Sequence, residues 1–215
     1  MLSTIFNRSP RRIKYEHHKI DRNNIASEAM LVCKVLYSYG YEAFLVGGAV
    51  RDLMLGLKPK DFDVVTNATP KQIQSLFRHS RIVGRRFQLV HVVLGKRVIE
   101  TSTFRAVFLK DQDVDKHGRV LRDNVFGTQK EDAARRDFTI NSLYYDPKSE
   151  EVVDYHSGII DLKKRSVRTI GNPKQRYRED PARILRAVRF AARIRGTIDK
   201  ASLESIEETA YLIKY

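Results

Sequence analysis

The feature of this sequence that most constrains its fold is a short apolar run ending in Gly47-Gly48, separated by twelve residues from Asp61-Phe62-Asp63. The apolar run at 43–46 predicts a strand, and the residues after the glycines predict a helix over 49–55. The acidic triplet opens a second predicted strand, over 61–66. A strand, a glycine turn and a helix therefore lead into an acidic strand.

The order of acid, aromatic and acid in this triplet places two carboxylates on one face of the predicted strand. Residues i and i+2 of a strand point to the same side, so Asp61 and Asp63 project together while Phe62 enters the core. Two adjacent carboxylates repel each other unless cations neutralise them, and a pair of Mg²⁺ ions does this in many phosphoryl-transfer sites. The alternative is a solvent-facing strand edge, the more frequent outcome for an isolated Asp-x-Asp.

The two glycines before the acidic triplet indicate a phosphate cradle. Without a Cβ, the backbone of Gly47-Gly48 can approach a triphosphate closely, and the helix that follows aims its first N–H groups at the same anion. Arg51, in the first turn of that helix, can reach a phosphate. An ordinary tight turn is the alternative for the glycines alone, but the glycines and the acids in this order are a more specific pattern.

A third carboxylate is available at Glu100, in the predicted strand over 97–102. If Ile99 packs inward, Glu100 faces the same surface as the acids of a neighbouring strand and completes a metal-binding triad. Glu100 can equally be an exposed strand residue paired with Lys96 or Arg97, and the sequence leaves both readings open.

The charge of the chain favours a polyanionic partner. Among its 215 residues, 40 are Lys or Arg and 26 are Asp or Glu, which gives a formal net charge of +14; such a balance favours nucleic acid over an acidic small molecule. No apolar run approaches the roughly 18 residues of a membrane-spanning helix, so we expect a cytoplasmic protein without a membrane partner. The first 20 residues predict a flexible basic arm, with His17 and His18 solvated. Cys33, the single cysteine, is expected in the core.

Further elements follow from hydrophobic periodicity and from capping residues. We expect a helix at 25–39, a helix at 70–78 after an N-cap and proline, an antiparallel meander at 81–83, 89–94 and 97–102, a loop at 110–123, and mostly helical structure after 128. His91 lies in the apolar run of the meander, which favours a packed core histidine over a general base. The final helix is expected from Asp180 to about Arg193.

The two faces of this final helix differ in character. At 100° per residue, one arc carries Ile184, Leu185, Val188, Ala191 and Ala192, and the opposite arc carries Arg183, Arg186, Arg189 and Arg193. The first arc is expected to pack against the protein, and the second to present guanidinium groups.

Four stretches resemble the head and neck of class II nucleotidyltransferases, a family of bacterial poly(A) polymerases and CCA-adding enzymes. The stretches are 45–52 (LVGGAVRD), 61–63 (DFD), 135–141 (RRDFTIN) and 178–186 (REDPARILR). They stand in the family's order, and the resemblance extends from about residue 20 to 195. Family members continue into helical body and tail domains, which these 215 residues do not include.

The resemblance implies roles for individual residues. Asp61 and Asp63 would bind two catalytic Mg²⁺ ions with Glu100 as the third acid, and Asp137 would contact the sugar of the incoming nucleotide. Glu179, Asp180 and Arg183 would read the edge of its base. The expected nucleotide site comprises Gly47, Gly48, Arg51, Arg105, Arg136, Asn141, Glu179, Asp180, Arg183, Arg186 and Arg189.

Within the family, the stretch 83–92 and the polar loop resemble the poly(A) polymerase branch. The resemblance thus implies template-independent addition of AMP from ATP to an RNA 3′ end. Two alternatives stay open, namely CCA addition to tRNA and a catalytically silent RNA-binding module. Clustered acids argue against the module, because a binder of RNA gains affinity from Lys and Arg.

The expected fold is α+β. We predict a head at 21–145, built on a mixed sheet of about five strands covered by helices, and an all-helical neck at 146–215.

Overall fold

The computed structural model describes residues 9–84, 88–106 and 125–214. Its main strands are β1 (Arg11–Ile13), β2 (Ala43–Val46), β3 (Asp63–Thr66), β4 (Ser80–Val83), β5 (Leu89–Leu94), β6 (Arg97–Thr103), β7 (Leu143–Asp146) and β8 (Glu151–Asp154). The helices are α1 (Tyr15–His18), α2 (Ser27–Ser38), α3 (Gly48–Met54), α4 (Pro70–Leu76), α5 (Gln129–Arg135), α6 (Gly158–Lys163), α7 (Pro173–Glu179), α8 (Ala182–Ile194) and α9 (Lys200–Thr209). The predicted loop at 110–123 lies outside the described residues.

One mixed sheet of eight strands organises the chain, in the order β1-β8-β7-β2-β3-β6-β5-β4. β3 and β6 run parallel, and the other neighbouring pairs of this sheet run antiparallel. Two short strands, β9 (Ser166–Val167) and β10 (Thr197–Ile198), form a separate parallel pair. The α+β prediction is confirmed, and so are all five predicted strands, but the expected total of about five was wrong.

The three additional strands of this sheet come from short runs inside segments whose wider pattern predicted other structure. β7 and β8 are each four residues long and buried, so they read as short apolar runs inside a region that otherwise looks helical. β8 pairs with β7 and with β1, so the sheet continues to residue 154. The prediction of an all-helical neck from residue 146 was therefore wrong, since β8 and the β9–β10 pair lie within it.

The predicted flexible arm is also wrong over the residues that the structure describes. β1 forms an edge strand of the main sheet, and His18 and Ile20 are both 2% exposed. The ring of His18 accepts a hydrogen bond from the Ile20 N–H at Nδ1, and Nε2 lies 2.9 Å from the carbonyl oxygen of Glu150. His18 is thus a buried structural residue, not a solvated one.

Apolar layers cover both faces of the sheet. The larger layer includes α2, where Ala29, Val32, Cys33 and Leu36 are buried on one face as their spacing predicted. The smaller layer contains Phe44, Val46, Val65, Tyr144 and Val153 of the strands, Phe104 directly after β6, and Ala133 of α5. Because Asp63 and Val65 are two residues apart on β3, Asp63 projects to the side of the smaller layer.

The last long helix, α8, packs through a different arc from the one predicted. Its buried residues are Ile184, Ala187, Phe190 and Ile194, whereas Leu185 and Val188 are 58% and 56% exposed. The apolar arc was misplaced because Ala187 and Phe190, which lie between arginines in the sequence, face the head. Among the described helices, none is long and apolar enough to cross a membrane.

Candidate active site

The acidic face of the site is built by two neighbouring strands. Asp63 opens β3 and stands in register with Glu100 on the parallel strand β6. On the other side of β6, Glu100 is in register with His91 of β5, whose Nε2 lies 3.7 Å from its Oε1. Phe62 is 6% exposed within the larger apolar layer, so its predicted inward packing is confirmed.

Glu100 shows features of both sequence readings, because its side chain is 54% exposed and yet stands in register with Asp63. Glu100 lies on the same face as Asp63, and Arg97 forms an ion pair with Glu28 instead. His91 is partly exposed, with 26% of its side chain accessible, so the prediction of a packed core histidine was wrong. Side chains alternate between the two faces along β5, so His91 lies on the acidic face, whereas its neighbours Val90 and Val92 are buried in the core.

Electrostatic repulsion acts on Asp63. Burial raises its pKa from 3.8 to about 6, and the charges of Glu100 and Asp61 add to this shift, while Arg136 opposes it. Asp61 itself is exposed and precedes β3 instead of lying in the strand. The pair of acids predicted for one strand is thus drawn from a strand and the segment that leads into it.

The donor set suits a divalent cation without forming a closed cage. Carboxylates on adjacent parallel strands at a partly buried site are the ligand type that Mg²⁺ prefers, and their mutual repulsion is the kind that a cation relieves. In the described ranges, no three His, Cys, Asp or Glu side chains converge closely enough to hold a metal ion. The triad of Asp61, Asp63 and Glu100 is therefore not preassembled.

Gly47 occupies a backbone conformation that favours glycine and lies at the centre of the site. Its φ is 74° and its ψ is −134°, a region that residues with a Cβ rarely adopt. A Cβ built on Gly47 would lie 3.8 Å from Nη1 of Arg136 and 3.8 Å from Oδ2 of Asp63. Gly47 therefore separates a cationic group from the acidic face.

Arg136 is held by two residues that the sequence did not single out. Its Nε and Nη2 donate to Oδ2 of Asp132, at 3.1 and 2.9 Å, and Nε also donates to the hydroxyl of Tyr144. Asp132 could have been noticed as an acid four residues before an arginine on a predicted helix. Tyr144, in an apolar run of β7, gives no such signal.

Arg51 has a different environment from the predicted phosphate contact. It is 4% exposed, donates to Oδ1 of Asp52 through Nε and Nη2, and donates to Oδ1 of Asn141 through Nη1. Its guanidinium carbon lies 5.0 Å from the ring centroid of Phe190. These contacts give Arg51 a structural role, and the predicted phosphate contact stays a prediction.

Asp137 connects the head to α8. Its Oδ2 accepts from Nε of Arg186 at 2.7 Å, and its Oδ1 accepts from the N–H of Phe138 and from Nδ2 of Asn141. Since Asn141 also accepts from Arg51, the predicted sugar-contacting acid is joined to α3 through one buried amide. The carboxylate is fixed in orientation before any ligand arrives.

The predicted base-reading residues lie where α7 passes into α8. Glu179 ends α7 and its Oε2 accepts from Nη1 of Arg176 and of Arg183, while Asp180 accepts the N–H of Ala182. Arg176, which the sequence did not single out, also donates through Nη2 to the carbonyl oxygens of Arg135 and Arg136. These hydrogen bonds connect the segment to the two residues that precede Asp137 in the chain.

Several arginines crowd this region. Burial lowers the pKa of Arg135 to about 9, with further lowering by the charges of Arg105, Arg176, Arg183 and Arg136. Burial likewise lowers the pKa of the Arg105 side chain. The backbone N–H of Arg105 donates to Oδ1 of Asp132. Such mutual repulsion favours the binding of an anion.

Arg189 is exposed on α8, with its guanidinium carbon 4.9 Å from the ring centroid of Phe190. Arg186 lies 5.1 Å from the same ring. Together with Arg51, three arginines surround one buried aromatic side chain. The structure therefore places Arg189 beside the site, at the rim and not at the acidic face.

Comparisons with known proteins agree with this architecture. A family described as the poly A polymerase head domain matches residues 43–168. Poly(A) polymerase I of Escherichia coli O6:H1 is 52% identical over 207 residues, which cover 94% of this chain and 44% of that protein. The CC-adding tRNA nucleotidyltransferase of Halalkalibacterium halodurans is 35% identical, over 89% of this chain and 45% of that protein.

A solved structure shows the same fold. The CCA-adding enzyme of Bacillus stearothermophilus in complex with CTP superimposes with a TM-score of 0.75 and 32% sequence identity, over 86% of this chain and 43% of that one. The chain thus spans less than half the length of the relatives it matches.

Proposed function

Since the chain belongs to the poly(A) polymerase head-domain family, we propose that it adds AMP from ATP to RNA 3′ ends without a template. The observation that carries this proposal is the register of Asp63 with Glu100 on parallel strands, next to Gly47 and Arg136. The greater identity to a poly(A) polymerase than to a CC-adding enzyme, 52% against 35%, supports AMP as the added unit.

Asp61, Asp63 and Glu100 are the residues that would hold two Mg²⁺ ions. When bound, such ions lower the pKa of an attacking hydroxyl and neutralise charge on the phosphates. Burial and the charges of Glu100 and Asp61 raise the pKa of Asp63, and bound cations would oppose that shift. Asp61 and Glu100 are exposed, so their side chains would be free to turn toward such ions.

The other residues orient the nucleotide. Asp137, held by Arg186 and Asn141, presents a fixed acceptor to the sugar. Glu179 and Arg183, where α7 passes into α8, take the base, and Arg136 lies on the phosphate side. In this arrangement the RNA 3′-hydroxyl attacks the α-phosphate of ATP, and pyrophosphate leaves. The net charge of +14 supports RNA as the second substrate.

Extension of an A-tailed oligonucleotide with radiolabelled ATP and Mg²⁺ tests this function. We expect AMP incorporation by the wild-type chain and none by Asp63→Asn, since that change removes a ligand and leaves the packing of Phe62 intact. A parallel reaction offers CTP and ATP with a tRNA lacking its terminus. Incorporation of C ahead of A would show that the function is CCA addition and not AMP addition. Absence of any incorporation would favour the catalytically silent RNA-binding module.

A further inference from the structure

Arg136 is anchored by three hydrogen bonds on the acidic side of the sheet. Its Nε and Nη2 are both used in hydrogen bonds to Asp132 and Tyr144, and the hydroxyl of Tyr144 also donates to Oδ2 of Asp132 at 2.7 Å. Each of the three side chains is therefore bonded to the other two. We call Asp132, Arg136 and Tyr144 the arginine clamp.

The clamp directs the remaining guanidinium nitrogen at the glycine turn. Nη1 of Arg136 lies 3.8 Å from the position that a Cβ on Gly47 would occupy, and Oδ2 of Asp63 lies at the same distance from that position. An anion above Gly47 would thus lie between the guanidinium group and the carboxylate that the proposed cations occupy. A triphosphate that contacts both the guanidinium group of Arg136 and cations on Asp63 would have to lie above Gly47.

The supports of the clamp are rigid. Asp132 lies on α5, whose first turn is closed by a capping box between Thr128 and Glu131. Tyr144 is fully buried in β7, with its ring edge-on to Phe44 and to Tyr155. The guanidinium carbon of Arg136 lies 5.2 Å from the Tyr144 ring centroid. A donor fixed in this way binds a phosphate without first losing side-chain entropy.

The charge of Arg136 survives its burial. Burial alone lowers the pKa of Arg136, but Asp132 and Tyr144 outweigh this and shift the pKa upward. Asp132 therefore has two effects, because it keeps the guanidinium group charged and sets its orientation.

We propose that Asp132 and Tyr144 are positioning residues that hold Arg136 with Nη1 directed at the phosphate chain of a nucleoside triphosphate above Gly47. This inference rests on the proposed function, which supplies the triphosphate. Asp132 and Tyr144 themselves do not touch the nucleotide and act through Arg136.

Binding of Mg²⁺-tripolyphosphate to the 215-residue chain, measured by titration calorimetry, tests the clamp without requiring catalysis. We expect Asp132→Asn to weaken tripolyphosphate binding at least tenfold and Tyr144→Phe to weaken it about three- to tenfold, because a charge-assisted hydrogen bond is replaced or lost. Adenosine binding, followed by ligand-observed NMR, should change less than twofold in both variants. Tyr144→Phe retains the buried ring and serves if Asp132→Asn does not fold.

Tyr155→Phe is the matched control. Tyr155 contacts the Tyr144 ring, but its hydroxyl donates to Gln129 and not to the clamp, so its loss should leave tripolyphosphate binding unchanged. A purely structural role for Tyr144 predicts instead that adenosine and tripolyphosphate weaken together, or that Tyr155→Phe has the same effect.

The outcomes separate the clamp from the proposed function. If wild-type protein does not bind Mg²⁺-tripolyphosphate, or if folded Asp132→Asn and Tyr144→Phe bind it as tightly as wild type, the clamp is refuted even where AMP incorporation is seen. If binding depends on Asp132 but no AMP is incorporated, the clamp stands and the proposed function fails.

Discussion

Asp63 and Glu100 occupy directly opposed positions on β3 and β6, two parallel strands that are neighbours in the main sheet. Residues in register on adjacent strands project to the same face, so these two carboxylates meet although 36 residues separate them in the sequence. Burial and the charge of Glu100 raise the pKa of Asp63 to about 6. The acidic face therefore lowers the free energy of unfolding in the absence of a cation. Substitutions at these residues can be tested by measuring that free energy.

Replacing Asp63 with Asn is expected to stabilise the cation-free protein at pH 8. The pKa of Asp63 is higher in the folded protein, about 6, than its usual 3.8, so the folded state binds the proton more tightly. Its contribution to stability is full below about pH 4 and is lost as the pH rises through 6. At pH 8 the amide should therefore raise the free energy of unfolding by about 1 to 3 kcal/mol.

Urea denaturation in EDTA at pH 8 and pH 4.5 measures this effect. The advantage of Asp63→Asn should shrink at the lower pH, and added Mg²⁺ should stabilise wild type but not the variant. Asp61→Asn, with the same charge change at an exposed position, should give a smaller effect. A variant less stable than wild type at pH 8 would contradict the assigned repulsion.

Gly47→Ala should damage both stability and activity. The positive φ of Gly47 costs a residue with a Cβ about 1 to 3 kcal/mol, and the added methyl group would stand between Arg136 and Asp63. We expect a lower melting temperature and a loss of AMP incorporation that exceeds the loss of folded protein. Gly48→Ala is the control, because Gly48 lies in α3 without a positive φ. Equal effects of the two changes would rule out a special backbone role for Gly47.

His18 should make stability depend on pH. Burial lowers its pKa from 6.5, and protonation of Nδ1 would remove the acceptor of the Ile20 N–H. A histidine with a lowered pKa contributes stability that is full above pH 6.5 and is lost as the pH falls through its folded-state pKa. His18→Ala should lower the free energy of unfolding by about 2 kcal/mol at pH 8, through lost hydrogen bonds and packing, and by less at pH 5.

The neighbouring histidine provides the comparison. His17 is exposed, so His17→Ala should leave the denaturation midpoint unchanged at both pH values. If the two alanine variants behaved alike, the ordered environment of the segment before Ile20 would be disproved.

Arg51→Met should be the most destabilising of the arginine substitutions. It leaves the buried carboxylate of Asp52 with Arg193 alone and removes the donor to Asn141. Loss of one partner of a buried ion pair costs about 3 to 5 kcal/mol. Arg189→Met, at the exposed rim of the same Phe190 ring, should cost less than about 1 kcal/mol. Chemical denaturation of both variants compares them, and similar losses would show that Arg51 is not a structural cation.

Sequence patterns predicted the elements whose residues repeat with a clear period. Helix α2 and the five neighbouring strands β2 to β6 were all recognised, because each shows periodic burial or clear turn signals at its ends. β7 and β8 are short apolar runs within a segment that otherwise reads as helical, and β1 has only three residues, so these three strands were not recognised. Their strand character is set by pairing with each other and with β2, which are contacts between distant parts of the chain.

The same limit applies to the site. Neighbouring residues of a strand face opposite sides, so the sequence predicted that Asp63 points away from Phe62. The same alternation along β6 allowed Glu100 to lie on the face of Asp63. Asp132, Tyr144 and Arg176 were missed because their importance lies in what they contact. Arg51 was assigned to a phosphate because its helix position allowed it, whereas Asp52 and Asn141 hold it in the interior.

The amino-acid sequence alone determined the α+β class, the central strands and the acidic and glycine motifs, since these depend on local conformation and on the two-residue and 3.6-residue periods of the backbone. The tertiary structure decided which carboxylate faces which, which arginines are bound to buried acids, and how far the sheet extends. These relationships arise from packing between segments far apart in the chain, where burial and the charge of a neighbour set the energy of each side chain. The residue pattern of one segment specifies neither the burial of a side chain nor the charge of its neighbours from other segments.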